Sequence, residues 1–308
     1  MTSPSIIDVW NVATFDPALL RMLENEAALI RDYLTTSRRQ FLEREMSDHT
    51  GPYPTNPYAG WHQAFVEAVG QEMNSRTMRA WHYTRLTDDE VRNMLENGIY
   101  PGTLDTLRRR LESAARALLL SPGDVEALYA ASPCHHPEQQ PGRLGKFWMT
   151  SDLVAIDDGG VELLLANWGG ESTYFWLEDQ RLEKLVASIG RPRVLEVAMP
   201  VSKSRHWLSA GRAVVGAFAR TLGCRPEHGA FDLYTLEPLD TGAWPFITMA
   251  SLASKTWARA TQSVMRHNRR SEGGLILFMQ IVRRQECSSY SKSRSLFPAI
   301  GSFLPRPC

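Results

Sequence analysis

The chain has 308 residues, of which 43% are hydrophobic and 22% are charged, and its formal net charge is zero. This composition is typical of a folded globular protein with one large domain or two ordinary ones. Because the net charge is zero, the overall composition gives no reason to expect nucleic acid or a charged membrane surface as a partner. No apolar run approaches the roughly 18–20 residues of a spanning helix, and no signal peptide is predicted at the N-terminus. We therefore expect a protein without a membrane partner.

Four cysteines lie far apart in the sequence, and no two of them form a Cys-x-x-Cys pair. They are Cys134, Cys224, Cys287 and Cys308. This usage is typical of a reducing compartment, where structural disulfides are rare. The sequence therefore predicts a cytoplasmic protein.

The first quarter of the chain is predicted to be helical. Apolar residues recur at three- and four-residue spacing over residues 17–46, and a second helix is predicted over residues 61–72. The segment between them, residues 47–60, is rich in Pro, Gly and Asn and is predicted to be a loop. We expect residues 1–75 to form a helical extension that docks on the following domain. The alternative is that this extension recognises a target or partner.

A short strand followed by a strongly capped helix is predicted next. Residues 79–84 contain the aromatic and β-branched side chains that favour an extended chain. Thr87 and Glu90 then have the spacing of a capping box, and Gly98 occupies the position of a C-terminal cap. The tripeptide His-Tyr-Thr at residues 82–84 is thus predicted to lie on a strand, which holds polar side chains rigidly.

Two further helices are predicted over residues 104–120 and 122–131. Arg108, Arg109 and Arg110 lie on the polar face of the first of them. Three arginines can bind phosphates. Such a run more often forms a solvated helix face, and we favour this second interpretation.

The polar loop over residues 132–142 contains four side chains that can bind zinc. They are Cys134, His135, His136 and Glu138. Adjacent residues rarely point to one tetrahedral centre, and no second ligand pair has usable spacing. We therefore expect an exposed loop and no metal site.

A second strand is predicted over residues 145–151, and a short helix over 161–167 leads to a Gly-Gly turn. Two glycines allow a tight turn or close approach to a ligand. Glu171 follows them directly, and a carboxylate at the end of such a turn is suited to contacting a sugar hydroxyl. The alternative is a helix C-cap followed by a surface glutamate. A second candidate carboxylate, Glu196, lies in the middle of a predicted strand over residues 194–200.

The order of a strand, His-Tyr-Thr, a helix and Gly-Ile in residues 79–99 resembles the opening of the ADP-ribosyltransferase superfamily. One branch of that superfamily uses a His, an aromatic residue and a Glu to bind and cleave NAD. The resemblance implies that His82 binds ribose hydroxyls of NAD, with Thr84 in support. Tyr83 belongs to the same cofactor-binding motif, but it points away from His82 on a regular strand and is expected to pack in the core.

A glycine followed by two aromatic residues on the second strand resembles the second motif of the superfamily. The resemblance implies that Phe147 or Trp148 faces the nicotinamide, and both alternatives stay open because neighbours on a strand point to opposite faces. Trp168, beside the Gly-Gly turn, joins the expected cofactor-binding residues. The resemblance implies that the catalytic carboxylate is Glu171 or Glu196.

The expected fold is α+β, with an ADP-ribosyltransferase-like split antiparallel sheet and flanking helices over residues 76–240. A basic C-terminal tail is predicted over residues 241–308. From Lys255 onward it has ten basic and two acidic residues, a net charge of +8. Such a tail can bind nucleic acid or an anionic surface, and it can equally be a poorly ordered terminus.

The resemblance implies transfer of ADP-ribose from NAD, as substrate, to a macromolecular acceptor, either protein or nucleic acid. Many stand-alone microbial members act as toxins or antiphage defence effectors, so an antitoxin-like inhibitor is a further expected partner. One alternative on the same fold is an RNA 2′-phosphotransferase, for which Arg79, Arg85 and Arg143 offer basic groups. The other is a non-catalytic module that binds nucleotides or nucleic acid, in which His82 is an ordinary core residue. Hydrolase, P-loop, zinc-protease and dinucleotide-binding motifs are missing from the sequence.

Overall fold

The computed structural model describes residues 6–46, 51, 54–227 and 229–241, and in this part the protein is α+β. The strands are β1 (Thr77–Leu86), β2 (Phe147–Thr150), β3 (Arg191–Pro200) and β4 (Asp232–Thr235). The helices are α1 (Pro17–Asn25), α2 (Ala27–Glu45), α3 (Ala59–Met73), α4 (Asp88–Asn97), α5 (Leu104–Arg116), α6 (Pro122–Ala130), α7 (Gln140–Arg143), α8 (Gly159–Ala166), α9 (Glu171–Tyr174), α10 (Gln180–Ser188) and α11 (Trp207–Thr221). Short 3-10 turns occur at Val12–Thr14, Pro133–His135 and Val201–Lys203. All but the first residue of the predicted basic tail lie outside the described residues.

The helix predicted over residues 17–46 is divided into α1 and α2. Glu26, between them, has φ −106° and ψ 12°, which is outside the helical region. The start of α1 follows the expected chemistry, because the Asp16 carboxylate accepts from the amides of Ala18 and Leu19 and Pro17 occupies the first turn.

The predicted capping box at the start of α4 is confirmed. The Thr87 hydroxyl accepts from the Glu90 amide at 3.1 Å, and the Glu90 carboxylate accepts from the Thr87 amide at 2.7 Å. The helix ends at Gly98, which has φ +85°. A Cβ at this position would collide with the Leu239 carbonyl, so both the backbone angle and the space require glycine.

The four strands form one antiparallel sheet in the order β3-β1-β2-β4. Strands β1 and β3 pair along ten residues, from Thr77 opposite Pro200 to Leu86 opposite Arg191. Strands β2 and β4 pair along all four of their residues. A single residue pair between β1 and β2 joins these two halves, with Trp81 opposite Thr150.

One face of the sheet and the N-terminal helices share the main hydrophobic core. Its buried residues include Leu19 of α1, Val69 of α3, Met78 of β1 and Val214 of α11. The segment before α1 also contacts β1 through backbone hydrogen bonds, because the Ile7 amide donates to the Thr77 carbonyl at 2.9 Å. The predicted boundary at residue 76 therefore does not separate two cores.

Two smaller clusters complete the packing. On the opposite face of the sheet, Tyr83 and Val194 pack against Val161 and Leu165 of α8. Helices α5, α6 and α10 form the other cluster, and Trp168 is buried within it. None of the helices in the described ranges is long and apolar enough to cross a lipid bilayer.

Helices α3 and α11 approach closely at two glycines. A Cβ at Gly211 would lie 2.6 Å from both the Gly70 nitrogen and the Val66 carbonyl oxygen. Real Cβ atoms do not approach backbone atoms this closely, and backbone atoms cannot rotate away as the end of a side chain can. The contact therefore requires glycine at this position of α11.

We expect Gly211→Ala to lower the free energy of unfolding by about 1–3 kcal/mol because it overpacks the crossing of α3 and α11. Gly216→Ala on the same helix is the matched control, since a Cβ there meets only Pro226 at an ordinary 3.9 Å. That control should raise the free energy of unfolding by about 0.5–1 kcal/mol through helix propensity. Urea denaturation of both variants measures the two effects. Changes of the same sign would contradict the packing argument.

Candidate functional site

His82 lies on β1 with its ring held against β2. Its Nδ1 is 2.7 Å from the Trp148 carbonyl oxygen. Protein surrounds the ring closely, although the residue keeps part of its surface in solvent. Burial lowers the pKa of His82 to about 4, the Trp148 carbonyl opposes this shift and the charge of Arg110 adds to it. His82 is therefore neutral at pH 7. Because a carbonyl only accepts, Nδ1 carries the proton and Nε2 is left as a hydrogen-bond acceptor.

Phe147 is the aromatic residue that faces His82. The two ring centroids are 4.3 Å apart, and the planes are inclined by 37°. Phe147 belongs to the main core, whereas Trp148 projects to the opposite face of β2 and pairs with Tyr234. Of the two rings that the sequence left open, only Phe147 shares the face of His82.

The other residues of the His-Tyr-Thr motif lie on different faces of β1. Tyr83 is buried, and its hydroxyl donates to the Val154 carbonyl at 3.0 Å and accepts from the Val154 amide at 2.7 Å. Thr84 is also buried, on the same face of the strand as His82. Tyr83 is thus a core residue, as strand alternation predicts, and the role of Thr84 in supporting His82 stays a prediction.

Trp168 is fully buried in the cluster formed by α5, α6 and α10. Its indole nitrogen donates to Glu90 at 2.8 Å, and the Arg110 guanidinium lies 4.8 Å from its ring centroid. A fully buried ring offers no surface to a ligand. Trp168 therefore packs in this cluster, and its role in cofactor binding stays a prediction.

Glu90 joins three separate segments around this tryptophan. Its carboxylate accepts from the Thr87 amide, from the Trp168 indole and from Arg110 of α5 at 2.5 Å. Burial alone would raise the pKa of Glu90, but the charge of Arg110 and these hydrogen bonds outweigh it, so the pKa is lowered. Only the local cap could be predicted from the sequence, because Arg110 and Trp168 lie 20 and 78 positions away from Glu90.

Glu196 is turned away from His82. It is the cross-strand partner of Trp81, so its side chain lies on the face of the sheet opposite to that of His82. Its carboxylate forms an ion pair with Arg79, with 2.7 Å between Nε and Oε1, although the N–H bond is not aimed at the oxygen. Arg79 also lies 3.6 Å from Asp8. Glu196 thus takes part in a largely buried charge cluster.

Glu171 is the first residue of α9 and is about half exposed. Its carboxylate lies 3.3 Å from the Arg143 guanidinium. Gly169 and Gly170, directly before it, have φ angles of +92° and +65°, and a Cβ at Gly169 would overlap Thr173. The expected Gly-Gly turn is therefore present, and it presents a solvent-accessible carboxylate.

Two aromatic side chains lie close to this ion pair. The Arg143 guanidinium lies 4.3 Å from the centroid of the Phe175 ring. Burial raises the pKa of Tyr174 to about 12, the negative charge of Glu171 raises it further and Arg143 opposes the shift. The carboxylate, the guanidinium and both rings thus form one compact group.

Trp148 connects this group to His82. Its carbonyl oxygen receives the His82 hydrogen bond, and its indole nitrogen donates to the Gly142 carbonyl at 2.9 Å. Gly142 precedes Arg143 in α7. Trp148 therefore contacts His82 through its carbonyl oxygen and α7 through its indole. The ion pair of Arg143 and Glu171 lies next to that second contact. Glu196 belongs to neither group.

The polar loop residues have ordinary partners. The His135 ring bonds the Tyr129 carbonyl at 2.8 Å, His136 packs edge-on against Trp176, and Cys134 is buried. Within the described part of the chain, no group of three His, Cys, Asp or Glu side chains is arranged to hold a metal ion.

Two of the three arginines on α5 form ion pairs with glutamates of other helices. Arg108 binds Glu126 and Arg110 binds Glu90. The third, Arg109, donates to the carbonyl of Asp105 on its own helix.

Comparisons of the chain with protein-family models, with curated proteins and with solved structures found no match. What the protein can do is therefore judged from the geometry and chemistry of its own residues.

We expect Glu90→Gln to lower the free energy of unfolding at pH 7 by about 2–3 kcal/mol because it leaves Arg110 half-buried without its charged partner. The folded-state pKa of Glu90 lies below its unfolded value, so this stabilisation is present above the ordinary glutamate pKa and is lost as the pH falls through the folded-state pKa. The difference between wild type and variant should therefore shrink in acid. Denaturant titrations across the acid range measure it.

Asp89→Asn is the matched control for this experiment. Asp89 is in the same helical turn but is 72% exposed and pairs with Arg92 at the surface. This substitution should lower the free energy of unfolding by less than about 1 kcal/mol. Equal losses of unfolding free energy for the two variants would contradict the role assigned to the Glu90–Arg110 pair. So would an effect of Glu90→Gln that does not change with pH.

Proposed function

We propose that the protein transfers ADP-ribose from NAD to a macromolecular acceptor, and that its split sheet is of the ADP-ribosyltransferase type. The observation that carries the proposal is the state of His82. This ring is neutral, is fixed through Nδ1 to the Trp148 carbonyl and packs against Phe147. Its Nε2 is an acceptor suited to a ribose hydroxyl, and Phe147, which is only 9% exposed, holds the imidazole ring in place.

Cleavage of the bond between nicotinamide and ribose builds positive charge on the sugar. A carboxylate close to the ribose 2′-hydroxyl stabilises that charge, and rigid placement of both reacting groups lowers the barrier further. We assign the carboxylate role to Glu171. It follows a tight turn, is accessible and is linked through Arg143 and Trp148 to the surroundings of His82.

Glu196 is the weaker candidate for two physical reasons. Its side chain is only 16% exposed, whereas that of Glu171 is 48% exposed. Its charge is also neutralised by Arg79. In the proposal Glu196 stabilises the pairing of β1 with β3.

Arg143, mostly buried beside Glu171, supplies positive charge of the kind that a dinucleotide pyrophosphate requires. Arg110 is paired with Glu90, and its charge acts on His82. Arginine recognises phosphate oxygens well because its donors form a planar fork. These arginines also suit an RNA 2′-phosphotransferase, whose reaction would release nicotinamide only when 2′-phosphorylated RNA is supplied.

The biological setting belongs to the proposal as well. A cytoplasmic toxin or defence effector would be held in check by an antitoxin-like inhibitor. Growth arrest on expression of the wild-type chain, absent on expression of Glu171→Gln, would support that setting.

We expect the purified protein to release nicotinamide from NAD, and Glu171→Gln to reduce the rate by about 100-fold or more because stabilisation of the developing charge is lost. Glu196→Gln should keep a rate close to that of wild type. Chromatography of nicotinamide, with cell extract supplied as acceptor, measures both rates. Melting temperatures confirm that the variants are folded. Loss of activity in Glu196→Gln alone would reverse the assignment, and a wild type that neither binds nor cleaves NAD would refute the proposal.

We expect NAD binding to be independent of pH between about 5.5 and 8 and to weaken as the pH falls towards about 4, where Nε2 of His82 becomes protonated and stops accepting. An ordinary histidine would instead lose binding near its usual pKa of about 6.5. Calorimetric titrations over this range locate the midpoint. His82→Ala should bind weakly at every pH, and a midpoint near 6.5 in wild type would contradict the neutral state assigned to His82.

A further inference from the structure

Two aromatic side chains on neighbouring strands form a partly exposed pair whose ring faces have no role in the proposed NAD site. Trp148 of β2 and Tyr234 of β4 are cross-strand partners, so they project to the same face of the sheet. Their ring centroids are 4.7 Å apart, and 38% of the Trp148 surface remains in solvent. A large indole left exposed beside a second ring is a feature of surfaces that bind other molecules.

Two further exposed aromatic residues lie directly after α9, and the first of them contacts Arg143 of α7. The Trp148 indole bonds the Gly142 carbonyl, and the next residue, Arg143, covers one side of the Phe175 ring. Phe175 is 40% exposed, and Trp176, which follows it in the chain, is 38% exposed. We call the series Tyr234, Trp148, Phe175 and Trp176 the aromatic track.

Cations lie against three of the rings of this track. The Lys146 ammonium is 5.1 Å from the Trp148 centroid and 4.4 Å from the Tyr234 centroid. No carboxylate among the described residues forms an ion pair with Lys146. Arg143 lies further along the track and is paired with Glu171. Aromatic surface and positive charge therefore lie together in this track, and Arg143 also pairs with the carboxylate that we assign to catalysis.

We propose that the aromatic track binds single-stranded nucleic acid and presents it as the acceptor of ADP-ribose. Unpaired bases stack on exposed rings with little regard to sequence, and lysine and arginine meet the phosphates between them. In a duplex the base faces are already stacked, so the rings would have no partner. A docking site for a protein would more often be one continuous apolar patch with a polar rim, whereas cations lie against the rings of this track.

This inference rests on the proposed function, because the track serves as an acceptor site only if NAD is cleaved beside it. In the transfer, the bond between ribose C1′ and the nicotinamide nitrogen breaks, and its electron pair leaves with nicotinamide. A nitrogen or oxygen of the nucleotide bonds to C1′ and releases its proton to solvent. The products are nicotinamide, a proton and an ADP-ribosylated strand.

The test measures fluorescence anisotropy of labelled single-stranded DNA and RNA of about 20 nucleotides, and of the corresponding duplexes, without NAD. Wild type should bind single strands more tightly than duplex. Trp148→Ala and Trp176→Ala should each weaken binding roughly tenfold through loss of one stacked base. Lys146→Ala should reduce the slope of log affinity against log salt by about 0.7.

Two further variants separate stacking from folding. Trp148→Phe keeps a ring and should retain most of the affinity, whereas Trp148→Ala should not. Phe41→Ala removes a ring that is 52% exposed on α2, outside the track, and should bind as wild type does. Binding that is unaffected by Trp148→Ala and Trp176→Ala would overturn the inference, as would preference for duplex or no binding.

The two proposals fail in different ways. A protein that cleaves NAD but binds no single strand would refute the acceptor inference alone, and label transferred from NAD to protein rather than to the strand would do the same. A protein that binds single strands through these rings but does not cleave NAD would overturn both the proposed function and the acceptor role. Transfer of label from NAD to the single strand, lost in Trp176→Ala while nicotinamide release is retained, is the expected result.

Discussion

Strand β1 is the constraint on which the rest of the structure depends. Its ten residues pair without interruption with β3, so each side chain is committed to one face of the sheet. Met78 and Leu86 enter the main core, and Tyr83 packs against α8 on the other face. A shift of the pairing by one residue would exchange the two faces. The same alternation brings the His82 ring to Phe147 and turns Glu196 away from both.

Three glutamates illustrate how the surroundings of a carboxylate decide its role. Glu90 is saturated by donors from three segments and stabilises the packing of α4 against α5. Glu196 is neutralised by Arg79 in the sheet. Glu171 also has an arginine partner, but it remains about half exposed and follows a turn that only glycines form readily. It is therefore the one of these three whose charge is accessible to a substrate.

The sequence predicted the candidate site in part. It placed His82 on a strand and Glu171 after a Gly-Gly turn, because both depend on residues within a few positions. It could not decide whether Phe147 or Trp148 contacts His82. Neighbours on a strand point to opposite faces, but which face meets His82 depends on how β2 pairs with β1. It also placed Trp168 with the cofactor, because nothing near it in the chain indicates that Glu90, 78 positions earlier, accepts from its indole.

The sequence by itself determined the α+β class, the order of most helices and strands and the capped start of α4. These features depend on periodicity and on hydrogen bonds that span three or four residues. The tertiary structure decided that the N-terminal helices share the core of the sheet and that Trp148 links His82 to α7. It also decided which glutamate remains accessible. Those outcomes depend on contacts between residues far apart in the chain, which no local pattern encodes.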